Sequence, residues 1–357
     1  MNKMDKKILV AMSGGVDSST AAYLLKKEGF DVAGITMCLG VKETRKKHPT
    51  CCGEEAIADA KKVCWKLGIP HYMLDFSKHL EEKVIEKFVS EYSNGRTPNP
   101  CVDCNKSLKF DILLKKALSL GFDFLATGHY AKIEKVKNNF LLKKAKDKTK
   151  DQSYFLYCIK KSALKSILFP LSGLKKTEVR AIAKIAKLPV HDKPQSQDIC
   201  FIPERNYHGF LSERIAQRIE GGSILSLDGD FLGKHKGACF YTIGQREGLG
   251  IGYKHPLYVL SVNAEKNELT VGKKDDLKSA SLVAGEVNLL VEDMPRKASA
   301  KIRHNQEESG CSVTLLEKGK KLKVTFENAQ EAVTPGQSIV LYDGETVLGG
   351  GIIEKSL

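Results

Sequence analysis

No stretch of this chain approaches the roughly 20 apolar residues that a membrane-spanning helix requires. The N-terminal "MNKMDKKILV" carries lysines, but the apolar run it opens is broken at Ser13, too short for the core of a secretion signal. Internal repeats and low-complexity tracts are lacking as well, which excludes solenoids and fibrous arrays. A cytoplasmic, globular monomer without membrane contact is expected. Acidic residues are outnumbered by lysine and arginine, 43 to 57, and the resulting positive potential favours an anionic partner such as a nucleotide or nucleic acid. Without a secretion signal the ten cysteines do not read as a disulfide scaffold, because cytosolic thiols are kept reduced.

What is present is enough for two or three packed domains: 357 residues, 42% of them hydrophobic. In "ILVAMSGGVDSSTAAYLLKKEGF" a strand over Ile8 to Ser13 stops at two glycines, and a helix over Val16 to Lys27, closed by Gly29, follows at once. "FDVAGITMCLG" and "HYMLDF" read as further strands, Glu54 to Leu67 and Leu80 to Tyr92 as helices, and "FDFLATGHY" as a strand ending in a Thr-Gly-His-Tyr turn. Such alternation predicts an α/β fold with a parallel sheet and helices on both faces. Its ligand should sit beyond the carboxyl ends of the strands, where Ser13 to Ser18 and Thr127 to His129 fall. From about Gly221 the texture changes. "SILSLDGDFLGKH" and "IVLYDGETVLGGGII" each set an Asp-Gly turn between alternating runs, the signature of antiparallel hairpins. The expected division is a catalytic domain over residues 1–205, a small central β-rich module over 206–277 and a C-terminal β-barrel over 278–357.

Gly14 and Gly15 let the backbone approach a ligand closely, and the following helix aims its first amides and positive dipole end at it, a geometry that suits phosphate. Asp17-Ser18 stands where a Walker loop would have Lys-Ser or Lys-Thr, and a carboxylate beside a phosphate cradle is understandable if Mg²⁺ bridges them. The plainer alternative is a tight turn with Ser18 as helix cap. "GRTPNPCVDCNKSLKF" places Cys101 and Cys104 after a proline-braced turn, and "SQDICFIPE" places Cys200 after a short apolar run. Three readings of these cysteines stay open: zinc, for which the adjacent Cys51 and Cys52 have the wrong spacing; a redox pair; and sulfur transfer through a persulfide.

Read together and in order, "MSGGVDSS", "GRTPNPC..CN..LKF", "ATGHYA", "KDQSYFLY", "SQDICFI", "TIGQREGLGIG", "YVL" and "AVTPGQS...Y.....LGGGII" resemble the bacterial tRNA-specific 2-thiouridylase family, over nearly the whole chain. The loop itself looks like that of enzymes that cleave ATP between the α and β phosphates, on an adenine-nucleotide α-hydrolase-like fold. The resemblance implies ATP-dependent 2-thiolation of the wobble uridine of Lys, Glu and Gln tRNAs, with sulfur delivered by a persulfide carrier protein. By residue, it implies ATP contacts from Ala11, Met12, Ser13, Gly14, Gly15, Val16, Asp17 and Ser18, with Met37 at the adenine and Gly128 near the nucleotide. Asp17 would face the Mg²⁺-pyrophosphate. Cys200 resembles the persulfide carrier and Cys104 the nucleophile that forms a disulfide with it; Asn99, Pro100 and Cys101 would meet the target base. Lys150, Asp151 and Gln152 match a tRNA-contacting loop, and Arg303 with His304 the barrel's tRNA contact.

Departures from the pattern matter. Cys101 stands where many members have Asp, and a Cys101/Cys104/Cys200 set also resembles thiolation enzymes that hold a 4Fe-4S cluster by three thiolates. Gln195 replaces a commonly acidic residue, and "IRHNQ" replaces the usual "IRYRQ". Cys38, Cys64, Cys158, Cys239 and Cys311 read as small core residues.

Overall fold

The computed structural model describes residues 5–40, 53–194, 199–202, 206–215 and 219–357. Cys51, Cys52 and Gln195 lie outside them. The chain forms two compact units: Met1–Val84 with Cys101–Asn206 and Glu345–Val347, and Ile85–Pro100 with Tyr207–Gly344 and Leu348–Leu357. Among the described residues no helix is long and apolar enough to cross a membrane.

In the first unit, β1 (Lys7–Ala11), β2 (Asp31–Cys38), β3 (His71–Asp75), β4 (Phe124–Ala126), a hairpin of β5 (Lys132–Val136) and β6 (Asn139–Lys143), and β7 (Ile167–Leu168) follow in chain order. Five of them make a parallel sheet in the order β3-β2-β1-β4-β7. Successive strand residues face opposite sides, yet Ile8, Leu9 and Val10 are all fully buried. Both faces of β1 are therefore covered, as parallel sheets require. Ile8 and Val10 pack with Ala22 and Leu25 of α1 (Val16–Lys27) and with Ala60 and Val63 of α2 (Glu54–Leu67). α2 stops at Gly68, whose left-handed backbone (φ 61°) turns its N–H back to the last carbonyls, as expected.

The helix expected to Tyr92 is built as α3 (Ser77–Leu80), a π-helical turn (Glu81–Ile85) and α4 (Glu86–Ser93). A second composite helix was not expected. α5 (Pro100–Asp103), a π-helical stretch (Cys104–Leu113) and α6 (Leu114–Ser119) run on from the Cys-x-x-Cys motif, which opens this helix directly after the proline-braced turn. Pro100 explains the start, since proline has no amide to lose in a first turn. α7 (Lys176–Ile185) packs Val179 against Ala21 of α1, and Ala183 against Val16.

The second unit contains α8 (Tyr207–Ile215) and a four-stranded sheet of β8 (Gly222–Leu225), β9 (Phe231–His235), β10 (Tyr258–Asn263) and β11 (Glu268–Gly272), ordered β10-β11-β8-β9. The Asp228-Gly229 turn joins β8 to β9 as anticipated, with Gly229 at φ +89°. The all-antiparallel expectation needs one correction: β11 pairs with β8 in parallel, because the long segment after β9 brings the chain back to the far edge. The barrel follows, from β12 (Lys278–Leu289), β13 (Lys297–Lys301), β14 (Ser309–Leu316), β15 (Lys321–Glu331), β16 (Ser338–Asp343) and β17 (Thr346–Ser356). Its order is β12-β15-β14-β13-β16-β17, and the β12 to β17 pairing closes the ring. Leu322, Val324 and Phe326 fill the lumen alongside Leu282, Val313 and Ile353 while Lys323 and Thr325 point out, the alternation a closed barrel imposes.

Candidate nucleotide and sulfur-transfer site

β1 has β2 on one side and β4 on the other, so the strand order reverses there, the point at which open parallel sheets bind their ligands. The loops after β1 and β4 are Met12 to Gly15 and Thr127 to Ala131. Met12 stays on the sheet, its N–H donating to Ile35 O at 2.7 Å and its carbonyl accepting from Thr36 Oγ1 at 3.0 Å. The chain then turns. Gly14 sits at φ +68°, and a Cβ there would lie 2.2 Å from the Ala56 carbonyl oxygen, so conformation and packing both demand glycine. The Ser13 amide and hydroxyl each lie 3.2 Å from Ser18 Oγ, and the Ser18 and Ser19 hydroxyls donate to Gly15 O at 3.2 and 2.8 Å. Serine side chains thus lash the turn to the first turn of α1. No side chain caps that helix at Gly15, which suits its first amides to an anion. Val16 and Met12 are buried beneath the turn, and Met37 is half-buried at the end of β2.

Gly128 lies against this same helix turn: a Cβ would be 2.6 Å from Ser18 N and 2.7 Å from Asp17 C. Two residues on, the Tyr130 hydroxyl donates to Asp17 Oδ1 at 2.8 Å. Lys176 Nζ, at the start of α7, donates to both Asp17 oxygens at 2.6 Å. Burial pulls the Lys176 pKa down against the pull of Asp17, and burial followed by Asp17 pushes that of Tyr130 up. His129 accepts or donates at 2.7 Å with Thr127 Oγ1, and burial, with Lys109 nearby, holds its ring well below the ordinary imidazole pKa. Gln152 brackets Tyr130 from behind, Oε1 accepting the Tyr130 N–H at 2.9 Å while the Gln152 N–H donates to Tyr130 O at 2.8 Å. Asp151 accepts from Ala145 N at 2.8 Å and Ser153 Oγ at 2.5 Å, and Asp147 ties the Lys-rich loop to the Lys176 N–H at 2.8 Å. Of the expected tRNA-contacting trio, Asp151 and Gln152 therefore spend polar groups on shaping the unit; Lys150 is half-buried beside them.

Cys101 is exposed and Cys104 half-buried, three residues apart and so on one side of their helix. Cys200, also half-buried, sits in a turn in which the Ile202 N–H donates to Ile199 O at 3.1 Å. The segment leading toward it is pinned by Lys193, 2.6 Å from Asp59 of α2, and by Arg180, which donates at 3.2 Å to the carbonyls of His191 and Lys193. Cys158 is buried under the Cys104 helix, its thiol pushed up to about 12 by burial and bonded to Val102 O. Cys64, Cys239 and Cys311 are buried as expected, whereas Cys38 is half-buried at a strand end. Among the described residues no group of three or more His, Cys, Asp or Glu is gathered to hold a metal ion. Asp17, the expected magnesium-facing residue, has its carboxylate paired with Lys176.

In the second unit, Asn99 and Pro100 follow a segment held at Thr97, whose N–H donates to Pro335 O at 2.9 Å and whose carbonyl accepts from Gln337 Nε2 at 2.9 Å. Arg303 reaches back to Ala332 O at 2.6 Å, and His304 Nδ1 lies 2.8 Å from Asn305 Oδ1. The residues missed from sequence are Tyr130, quoted in a motif without a role, and Lys176, which lies 159 positions from Asp17 and carries no local signal.

Three family profiles match the chain in succession: "tRNA methyl transferase HUP domain" over residues 6–204, "tRNA methyl transferase PRC-barrel domain" over 208–273 and "Aminomethyltransferase beta-barrel domain" over 279–353. A tRNA-specific 2-thiouridylase of Syntrophus aciditrophicus (strain SB) is 53% identical over 354 residues, spanning 99% of this chain and 94% of its own length. Those of Clostridium beijerinckii and Clostridioides difficile (strain 630) are 47% and 45% identical, each spanning 99% of both chains. With identity at this level running from end to end through both units, the chain belongs to the tRNA-specific 2-thiouridylase family of tRNA sulfurtransferases.

Proposed function

We propose that this protein uses ATP to replace the C2 oxygen of the wobble uridine in tRNA, with Lys, Glu and Gln acceptors, by sulfur. The observation that carries the reading is the serine-lashed glycine turn at the reversal point of the parallel sheet. Ala11 to Ser18 hold the phosphates of MgATP, the magnesium arriving as part of the substrate. Met37 borders the adenine, and Gly128 allows the turn after β4 to close on the nucleotide side of α1.

The uracil C2 oxygen is a poor leaving group. Attack of that oxygen on the α-phosphorus expels pyrophosphate and releases the N3 proton, giving an adenylated carbon from which AMP can depart. Cys200 carries a persulfide received from a carrier protein. Its terminal sulfur adds to C2 as AMP leaves, and the Cys104 thiolate then attacks the Cys200 Sγ, forming a disulfide and leaving the sulfur on the base. An external thiol reductant resets the pair. Asn99, Pro100 and Cys101 border the splayed uridine. Lys150 contacts the RNA from a loop shaped by Asp151 and Gln152, and Arg303 and His304 contact it from the barrel. The protein acts as a cytoplasmic monomer, with division near residues 205 and 277 into catalytic, central and barrel domains.

Substituting Cys104→Ser and Cys200→Ser should each abolish 2-thiouridine while sparing tRNA-dependent exchange of pyrophosphate into ATP, and Cys104→Ser should trap the tRNA joined to Cys200 through a disulfide to the uracil C2, readable by mass spectrometry. Normal thiolation by either variant would overturn the assignment.

A further inference from the structure

The cluster of Asp17, Lys176 and Tyr130 has no part in the sulfur chemistry. Lys176 is only 11% exposed and its partner Asp17 24%. Asp17 accounts for two of the three N–H bonds of the ammonium, and the Tyr130 ring lies 5.7 Å from it. The surroundings are more cationic than the pair needs. Arg180 and Lys150 both act on Lys176, lowering its proton affinity, while the other nearby carboxylate, Asp147, is occupied by the Lys176 N–H and by Thr149. Half-buried ion pairs of this kind contribute little net stability, so a purely architectural purpose would be served as well by an apolar pair. The ammonium meanwhile sits on the second residue of α1, one side chain from the turn whose uncapped amides suit an anion. Lysine, a compact charge on a flexible stem, is the residue suited to change partners there.

We propose that Lys176 is a catalytic residue for adenylation. The inference rests on the reading that Ser13 to Ser18 hold ATP. On ATP binding the ammonium passes from Asp17 to the phosphates. As the uracil oxygen bonds to the α-phosphorus and the α–β bridging P–O bond breaks, pyrophosphate takes the electron pair, and Lys176 neutralises the charge growing on that oxygen. Asp17 and Tyr130 are positioning residues that hold the lysine at the turn, and Gln152, through Tyr130, extends the support.

The test is tRNA-dependent exchange of labelled pyrophosphate into ATP, measured for wild type, Lys176→Met, Asp17→Asn and the double variant, with equilibrium tRNA binding and urea unfolding alongside. Removing one such stabilising group should cost about 100- to 1,000-fold in exchange kcat, with tRNA binding unchanged. In Lys176→Ala, added propylammonium should restore exchange in proportion to its protonated fraction, which a structural role would not produce. If Lys176 only neutralises Asp17, the double variant, which has no charge to neutralise, will exchange as fast as Asp17→Asn alone, and the proposal falls. No exchange by the wild-type protein would instead overturn the adenylation reading itself, and the lysine's role with it.

Discussion

Adding one methyl group at Gly128 tests how closely the turn after β4 must seat on α1. A Cβ there would stand 2.6 Å from Ser18 N, 2.7 Å from Asp17 C and 3.0 Å from Ser18 Cα, all backbone atoms that cannot rotate aside. Reaching ordinary contact at 3.4 Å requires the turn to retreat by about 0.8 Å. A comparable displacement at Tyr130 would stretch its 2.8 Å bond to Asp17 beyond hydrogen-bonding range. Gly128→Ala should therefore cost about 1–3 kcal/mol of stability, the usual toll of overpacking, and about 100-fold in pyrophosphate exchange, because a 1 Å misplacement of reacting groups is expensive. Gly29→Ala is the control. Gly29 has φ +89° with nothing within 4 Å of its Cβ position, so alanine there should cost about 1 kcal/mol of backbone strain and leave exchange untouched. Urea unfolding and the exchange assay read both. A Gly128→Ala protein within about 0.5 kcal/mol of wild type and fully active would show that the turn tolerates the displacement and that the close seating has no functional weight.

Two further outcomes follow from shielded charge. Lys193 and Asp59 are 14% and 15% exposed, so Lys193→Met should destabilise by about 1–3 kcal/mol by leaving Asp59 only its longer 3.7 Å contact with Lys62, with Asp59→Leu added to it recovering most of the loss; an unchanged unfolding midpoint in the single variant would refute this. His129 resists protonation in the folded chain, its pKa being depressed well below 6.5. Below about pH 6.5 the unfolded chain takes up a proton the folded chain refuses, so stability should fall with pH by up to about 1.4 kcal/mol per unit for this ring. His71, His208 and His235 are depressed by burial as well, so His129→Gln should flatten the acid-side slope of unfolding free energy without removing it.

What the amino-acid order determined by itself is what neighbours in the chain decide. Ile8, Leu9 and Val10 announce a strand covered on both faces, Gly14 and Gly68 mark left-handed positions that glycine adopts most easily, and the Asp-Gly pairs at 228–229 and 343–344 set their hairpins. The cysteines and the glycine turn could be named as chemistry because their spacing is local. Tertiary structure decided the rest. The parallel seam between β8 and β11 depends on where a long connection returns. The helix through Cys101 and Cys104 runs as a wide π-helical stretch that no periodicity rule anticipates. The partnership of Asp17 with Lys176 exists only because α7 packs on α1 and brings an ammonium from 159 residues away onto the first turn of a helix. Such a contact is fixed by side chains meeting across a packed core, where sequence separation carries no information about distance.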